Sequence, residues 1–316
     1  MSVRTGYVYG VAAYLCWGAF PLFFMLLAAV DPLEVIPWRV LTALVVCLVA
    51  LACVRRWGLF AAILRSPRQL GWFAVSGLLL YANWQIFVVA VVTGHIIETA
   101  LGYFINPIVT ILIGVLVRRE RLRPAQWTAV GIAAAGVLVT AFAYGTFPWI
   151  ALGLAFSFGL YGAVRKLASE NVDALTGLTV ETLVTAPLAV AQLVVIAVFA
   201  GGLHAFEHGP AVTIPLLLSG LLTAIPLLLF GGANRRLPLS HLGFIQFTTP
   251  VLNFLTGWLV FGEHMDAARW IGFATVWLAL AVLLWDMART IRRGRSRQDP
   301  PEPPPLTGEI GVRPGP

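Results

Sequence analysis

A single acidic side chain interrupts a long apolar stretch of this sequence. Of the 14 acidic residues, only Glu181 lies well inside such a stretch, in the segment GLTVETL. An ionisable group placed inside a bilayer is costly and by default marks a solute pathway or a proton relay. Two interpretations stay open: Glu181 serves a pathway, by binding a coupling proton or by contacting a substrate, or it forms a fixed ion pair with Arg165 or Lys166.

Two other apolar runs each carry a proline next to polar residues. Pro107 follows Tyr103 and Asn106, and Pro250 follows Gln246 at a distance of 143 residues from Pro107. A proline inside a helix leaves the carbonyl four residues earlier without its hydrogen bond. We expect both helices to be bent there, with these polar groups lining a cavity. The alternative is that the polar side chains join helices, at about 0.6 kcal/mol each.

Aromatic and amide side chains add two further candidates for a binding site. Asn83, Trp84 and Gln85 are consecutive, and at most two of them can face one cavity, because neighbours diverge by about 100° around a helix. Tyr14 and Trp17 are one helical turn apart. They can stack on a substrate ring, or they can belong to the aromatic belt at a membrane interface.

Three charged or titratable residues lie near predicted helix ends. Arg39 is placed near the outer mouth, in a run that corresponds to the run holding Glu181. His95 and Glu98 are candidates for an outer gate, although a solvated loop pair explains them at least as well.

The composition requires a membrane environment for these residues. The chain is 59% hydrophobic and 11% charged, whereas soluble domains carry about 25% charged residues. Ten apolar runs are long enough to cross a hydrocarbon core of about 30 Å as helices. They cover approximately residues 6–29, 36–54, 70–93, 97–117, 125–142, 147–168, 175–200, 212–233, 239–261 and 268–285.

Basic residues predict the orientation of these spans. With a cytoplasmic N-terminus, 19 of the 21 lysines and arginines fall on the inner side, which leaves Arg39 and Arg269 outside. This asymmetry follows the positive-inside rule and places both termini in the cytoplasm of a multi-pass cell-membrane protein. Residues 287–316 are rich in arginine and then proline, which predicts a disordered cytoplasmic tail near anionic lipid.

The chain also contains an internal repeat. With a shift of 143 residues, Ser76-Gly77-Leu78-Leu79 matches Ser219-Gly220-Leu221-Leu222, and Pro107, Glu120 and Trp127 match Pro250, Glu263 and Trp270. Each copy, at 6–143 and 147–286, holds five spans, so the second copy is inverted in the membrane. Inverted repeats are typical of secondary transporters that alternate access around a site near the midplane. The predicted fold is therefore an all-α polytopic membrane protein of two inverted five-helix repeats.

Several segments resemble the RarD family in the EamA branch of the drug/metabolite transporter superfamily. They are WGAFPLFF, EVIPWR, ANWQIF, GHIIETALGYFINP, FGLYGAVRK, GLTVETL, TAIPLLLF, LGFIQF and VFGE. The resemblance covers roughly residues 6–286 and implies an inner-membrane permease with a historical association with chloramphenicol sensitivity. Leu41, Val92 and Ala100 depart from the family pattern, which limits what the resemblance implies about substrate preference.

Enzymatic functions find little support in the motifs. The only lysine, Lys166, is not part of a phosphate-binding loop, and the segment Glu263-His264-Met265-Asp266 lacks the spacing of a zinc protease site. We expect a transporter for a small molecule, possessing no cofactor, no metal and no nucleic-acid partner. An intramembrane hydrolase and a non-transporting receptor or scaffold are the alternatives.

Overall fold

The computed structural model describes residues 3–93, 96–144, 147–169, 171–199 and 201–260, together with 270–271, 274–275, 277–279, 281–282 and 285–286. The first repeat contains α1 (Val3–Gly18), α2 (Phe20–Phe24), a 3₁₀ turn (Met25–Leu27), α3 (Pro32–Cys53), α4 (Trp57–Leu64), α5 (Pro67–Val92), α6 (Ile96–Arg118) and α7 (Pro124–Tyr144). The second contains α8 (Trp149–Ala168), α9 (Ala174–Phe199), α10 (Pro210–Asn234), α11 (Leu239–Gln246), α12 (Thr248–Leu255) and a π-helical turn (Thr256–Val260).

The described residues form helices and no strand, which confirms the predicted all-α membrane fold. Seven of the described helical segments are long and apolar enough to cross a membrane. The predicted ninth span, 239–261, is divided into α11, α12 and the π-helical turn. The described parts of the predicted tenth span are helical, and the tail from residue 287 lies outside the described residues.

One helix was not predicted. The basic segment between the second and third spans contains α4, whose Phe60 and Ile63 are buried against the bundle. The eight residues between Arg56 and Arg65 are too few for a membrane span, so the sequence did not indicate a helix here.

Aspartates begin the second long helix of each repeat. Asp31 accepts a hydrogen bond from the Leu33 N–H at 2.8 Å, and Asp173 accepts one from the Thr176 N–H at 3.0 Å. These caps satisfy N–H groups that a helix start leaves without partners. The two helices that carry Arg39 and Glu181 are thus fixed at their first turns.

The two repeats pack reciprocally. Helix α1 packs against α10 and α5 packs against α8, so the first helix of each repeat contacts the third helix of the other. A methyl group on Gly220 would lie 2.5 Å from Thr42 Oγ1, and one on Gly77 would lie 3.3 Å from Thr185 Cγ2. The 143-residue shift carries Gly77 onto Gly220 and Thr42 onto Thr185. The two contacts are therefore equivalent helix crossings, one made by each repeat.

Large apolar side chains also cover much of the outer surface. Phe199 is 83% exposed, Leu116 76% and Val198 68%. Such exposure would be costly in water but suits helices whose outer faces contact lipid. Hydrophobicity therefore does not distinguish the interior of the bundle from its lipid-facing surface, whereas polar and tightly packed residues do.

Candidate functional site

A cavity of about 460 Å³ lies between the two repeats and is hereafter called the aromatic cavity. All eight residues that the sequence singled out for a substrate pathway line it: Tyr14, Trp17, Arg39, Asn83, Trp84, Tyr103, Asn106 and Gln246. Six further phenylalanine and proline side chains that the sequence did not single out also line it: Phe20, Pro21, Phe24, Pro32, Phe87 and Phe158. The volume is within the usual range for small-molecule sites.

Arg39 is the only charged residue among the described residues that line the aromatic cavity. Its guanidinium carbon lies 5.0 Å from the ring centre of Phe24 and 5.1 Å from that of Trp84. Its Nε donates to Thr223 Oγ1 on α10 at 3.2 Å. In the part of the chain that the structure describes, no carboxylate forms an ion pair with it. The cation is held by aromatic faces and one hydroxyl.

Two buried polar atoms of the cavity lining have no hydrogen-bond partner among the described residues, namely Tyr14 OH and Gln246 Oε1. The two side chains are 2% and 5% exposed. A buried polar atom without a partner is costly and is rarely left so in a native structure. Asn83 differs, because its Nδ2 donates to Leu154 O and Ser157 Oγ, both at 2.9 Å. Asn83 therefore joins helices as well as lining the cavity.

Five aromatic rings, the aromatic plug, close one side of the cavity: Tyr14, Trp17, Phe158, Tyr161 and Phe230. Trp17 lies 5.7 Å from both Phe158 and Phe230, and Phe230 stacks on Tyr161 at 5.7 Å. Tyr14 and Trp17 are 5.1 Å apart with their planes at 61°. These two residues belong to the interior and not to an interfacial belt.

Glu181 lies beyond the aromatic plug and outside the cavity lining. It forms an ion pair with Arg165 and accepts a hydrogen bond from the Ser76 hydroxyl. The Arg165 Nη1 also donates to Tyr161 OH at 3.2 Å, which links the ion pair to the plug. Of the two partners that the sequence left open, the structure has Arg165 and not Lys166.

Further polar contacts tie the helix ends on this side, which we call the basic end. Lys166 Nζ donates to the Leu237 carbonyl. Glu120 accepts hydrogen bonds at 2.8 Å from the first two backbone N–H groups of α11. Tyr7 OH lies 2.7 Å from His241 Nδ1. Carboxylates favour helix N-termini, so Glu120, which the sequence analysis used only as a repeat marker, holds α11 in place.

At the opposite end, Glu34 and Gln192, which the sequence did not single out, make further polar contacts. Glu34, 2% exposed, accepts from the backbone N–H groups of His204 and Ala205, each at 3.1 Å. Gln192 donates to the Leu33 carbonyl at 2.8 Å and accepts from Gln85 at 2.5 Å. Gln85 is thus the one of the three consecutive residues Asn83, Trp84 and Gln85 that does not line the cavity, which agrees with the expectation that at most two of them can. The second span was predicted to begin at residue 36, so Glu34 lay outside it and was not a site candidate.

The two prolines occupy different surroundings. Pro250 lines the cavity, and the chain is divided between α11 and α12 at Phe247, next to the carbonyl of Gln246 that Pro250 leaves free. Pro107 lies inside the undivided α6, and its carbonyl would be 2.9 Å from a methyl group on Gly243. His95 lies outside the described residues, and Glu98 falls where side chains are not described.

The sequence matches a family model twice, over residues 4–142 and 148–285. That model describes the EamA-like transporter family. The chain belongs to this family. Protein RarD of Streptomyces exfoliatus is 44% identical over 95% of this chain and 94% of its own length. Protein RarD of Escherichia coli K12 is 39% identical over 92% of this chain and 98% of its own length. These matches confirm the resemblance to RarD-type EamA permeases.

An uncharacterized transporter of Pseudomonas aeruginosa is 41% identical over 92% of this chain and 97% of its own length. One solved crystal structure superposes with a TM-score of 0.66 at 19% identity, over 89% of this chain and 97% of that one, which supports the fold alone. The EamA-family chain is thus a multi-pass membrane transporter of the drug/metabolite superfamily, in a family of transporters rather than of enzymes.

Proposed function

We propose that this protein is a secondary active transporter that moves a small organic molecule across the cytoplasmic membrane by alternating access. The observation that carries the proposal is the aromatic cavity, since it is lined from both repeats and contains every pathway residue that the sequence singled out. Secondary transporters of this type place the substrate at the interface of inverted repeats. Tyr14, Trp17, Arg39, Trp84 and Gln246 are the proposed substrate contacts.

In the proposed cycle, the basic end is the closed end of this conformation. The positive-inside rule assigns the basic end to the cytoplasm, so the cavity belongs to the outer half of the transporter. The aromatic plug and the Arg165–Glu181 ion pair separate the cavity from the cytoplasm. Opening towards the cytoplasm requires the plug rings to part and the ion pair to separate.

Glu181 is the proposed coupling residue because of this position. A proton on its carboxylate removes the charge with which Arg165 is paired, and so weakens one contact that keeps the basic end closed. Proton binding and opening are then linked, since each makes the other more favourable. The structural alternative is a permanent ion pair that only holds α8 against α9.

Accessibility of the cavity from each face tests the proposal directly. In a background without Cys16, Cys47 and Cys53, a cysteine at Phe87 in the cavity should react with a membrane-impermeant maleimide from either side of oriented vesicles. A cysteine at Leu51, which is 0% exposed and outside the cavity, is the matched control and should stay unreactive. Reaction of the Phe87→Cys protein from one face only, under both pH gradients, would contradict alternating access.

A further inference from the structure

We infer that the aromatic cavity selects organic anions, and specifically a carboxylate attached to a planar apolar body. This inference names the substrate class and rests on the proposed transport function. It depends on the environment of Arg39, on the composition of the cavity lining and on Gln246 Oε1, which has no hydrogen-bond partner among the described residues.

The charge of the lining favours an anion. Arg39 is 8% exposed, and among the described lining residues it is the only charge. A buried cation normally has a carboxylate partner, because taking a lone charge out of water is costly. Among the described residues the other buried guanidinium, that of Arg165, has one in Glu181. Arg39 has no such carboxylate partner among the described residues, and it lines the cavity, so a bound anion would complete an ion pair with it.

The hydrogen bonds of Arg39 leave the required donors available. Its Nε is used by Thr223, and among the described residues neither terminal nitrogen has a hydrogen-bond partner. These two nitrogens present the parallel N–H groups that bind a carboxylate in bidentate fashion. Contact with Phe20, Phe24 and Trp84 keeps the guanidinium plane within a rigid frame.

The remainder of the lining suits an aromatic or otherwise planar body. Eight of the described lining residues are aromatic: Tyr14, Trp17, Phe20, Phe24, Trp84, Phe87, Tyr103 and Phe158. Aromatic rings pack favourably against one another in offset or edge-to-face arrangements. Among the described residues Gln246 Oε1 has no hydrogen-bond partner, and it is an acceptor, so a substrate hydroxyl or N–H is expected to donate to it.

Three probes that differ mainly in charge test the inference: phenylacetate, phenylacetamide and phenethylamine. Binding to the purified full-length protein in dodecyl maltoside is measured as a rise in melting temperature over a concentration series, which gives an apparent Kd. For the wild type, phenylacetate should bind about tenfold more tightly than phenylacetamide, and phenethylamine more weakly still. Hydrogen bonds to charged groups exceed neutral ones by about 1–1.5 kcal/mol, which is about tenfold in affinity.

Variants of Arg39 decide whether that residue causes the preference. Arg39→Gln should reduce the affinities for phenylacetate and phenylacetamide to within about twofold of each other, and Arg39→Lys should retain part of the difference because it keeps the charge but not the planar fork. Arg236→Gln is the matched control. Arg236 also lies over an aromatic ring, that of Tyr9 at 5.2 Å, but does not line the cavity, so this variant should keep the wild-type order.

Three results would overturn the inference: an equal or reversed order in the wild type, no binding of phenylacetate at all, or an unchanged preference in Arg39→Gln. The outcome is distinguishable from failure of the transport proposal, because accessibility of Phe87→Cys is measured without a ligand. If Phe87→Cys reacts from both faces but no anion preference is found, only the proposed substrate class is wrong. If anions are preferred but Phe87→Cys reacts from one face only, only the transport proposal is wrong.

Discussion

The Arg165 guanidinium on α8 is ion-paired with the Glu181 carboxylate on α9, and the two side chains are 1% and 2% exposed. Ser76 on α5 completes this contact by donating to the same carboxylate. Three helices from both repeats therefore meet at one buried charge pair. Arg39, in contrast, is a buried cation with no carboxylate partner among the described residues, and the two arginines should respond oppositely to substitution.

Removal of one partner from the Arg165–Glu181 pair should destabilise the protein. Arg165→Met leaves the Glu181 carboxylate buried and unpaired, which should cost about 3–5 kcal/mol of unfolding free energy. The double variant Arg165→Met with Glu181→Leu should return to within about 1 kcal/mol of the wild type, since apolar replacement of a whole pair is often neutral. Thermal unfolding in detergent measures both. Equal stability of the single and double variants would show that the pair is not energetically coupled.

Arg39→Met should leave stability unchanged or increase it. No carboxylate is left unpaired, and the variant removes a charge whose burial is costly. Binding residues are often retained at the expense of stability. The measurement is the melting temperature without ligand, beside that of Arg165→Met in the same detergent. A loss at Arg39 as large as that at Arg165 would mean that Arg39 is structural.

Glu181→Gln tests coupling separately from folding. The amide keeps the shape of the side chain and its acceptor for Ser76, but it cannot bind and release a proton. If Glu181 is the coupling residue, accumulation of phenylacetate driven by a pH gradient in proteoliposomes should be lost, while exchange without a gradient continues. A well-folded Gln variant that still concentrates the probe against its gradient would exclude Glu181 from coupling.

Gly220→Ala should disrupt the crossing of α10 over α3. A methyl group there would lie 2.3 Å from the Thr42 carbonyl carbon, which is backbone and cannot turn aside. Gly131 in α7 is the matched control, because a methyl group there meets nothing within 4 Å. Gly131→Ala should gain about 1 kcal/mol from helix propensity. Expression and melting temperature distinguish them; tolerance of alanine at Gly220 would show that the two helices separate easily.

Pro250→Ala should affect transport more than Pro107→Ala. Alanine restores an N–H that can bond to the free Gln246 carbonyl, which favours one continuous helix and moves Gln246 in the cavity. Pro107 lies in an undivided helix and does not line the cavity. Initial rates of phenylacetate uptake measure the difference. Equal rates in both variants and the wild type would show that neither bend shapes the site.

The sequence by itself determined the all-α membrane fold, the two repeats and the polar residues that line the cavity. Polar side chains are costly in a bilayer, so each one inside an apolar run needs a reason. Tyr103, Asn106 and Gln246 were identified in this way. Both halves share a pattern at a shift of 143 residues, and the equivalent helix crossings Gly77–Thr185 and Gly220–Thr42 place small residues at the same positions of this pattern.

Only the tertiary structure decided which faces of the helices meet. Lipid is as apolar as a packed core, so hydrophobic periodicity does not separate Phe230 in the aromatic plug from Phe199 on the outer surface. The choice of Arg165 over Lys166 as the partner of Glu181 has the same origin. Neighbouring residues point about 100° apart around a helix, and only the packing of α8 against α6 and α5 sets its rotation.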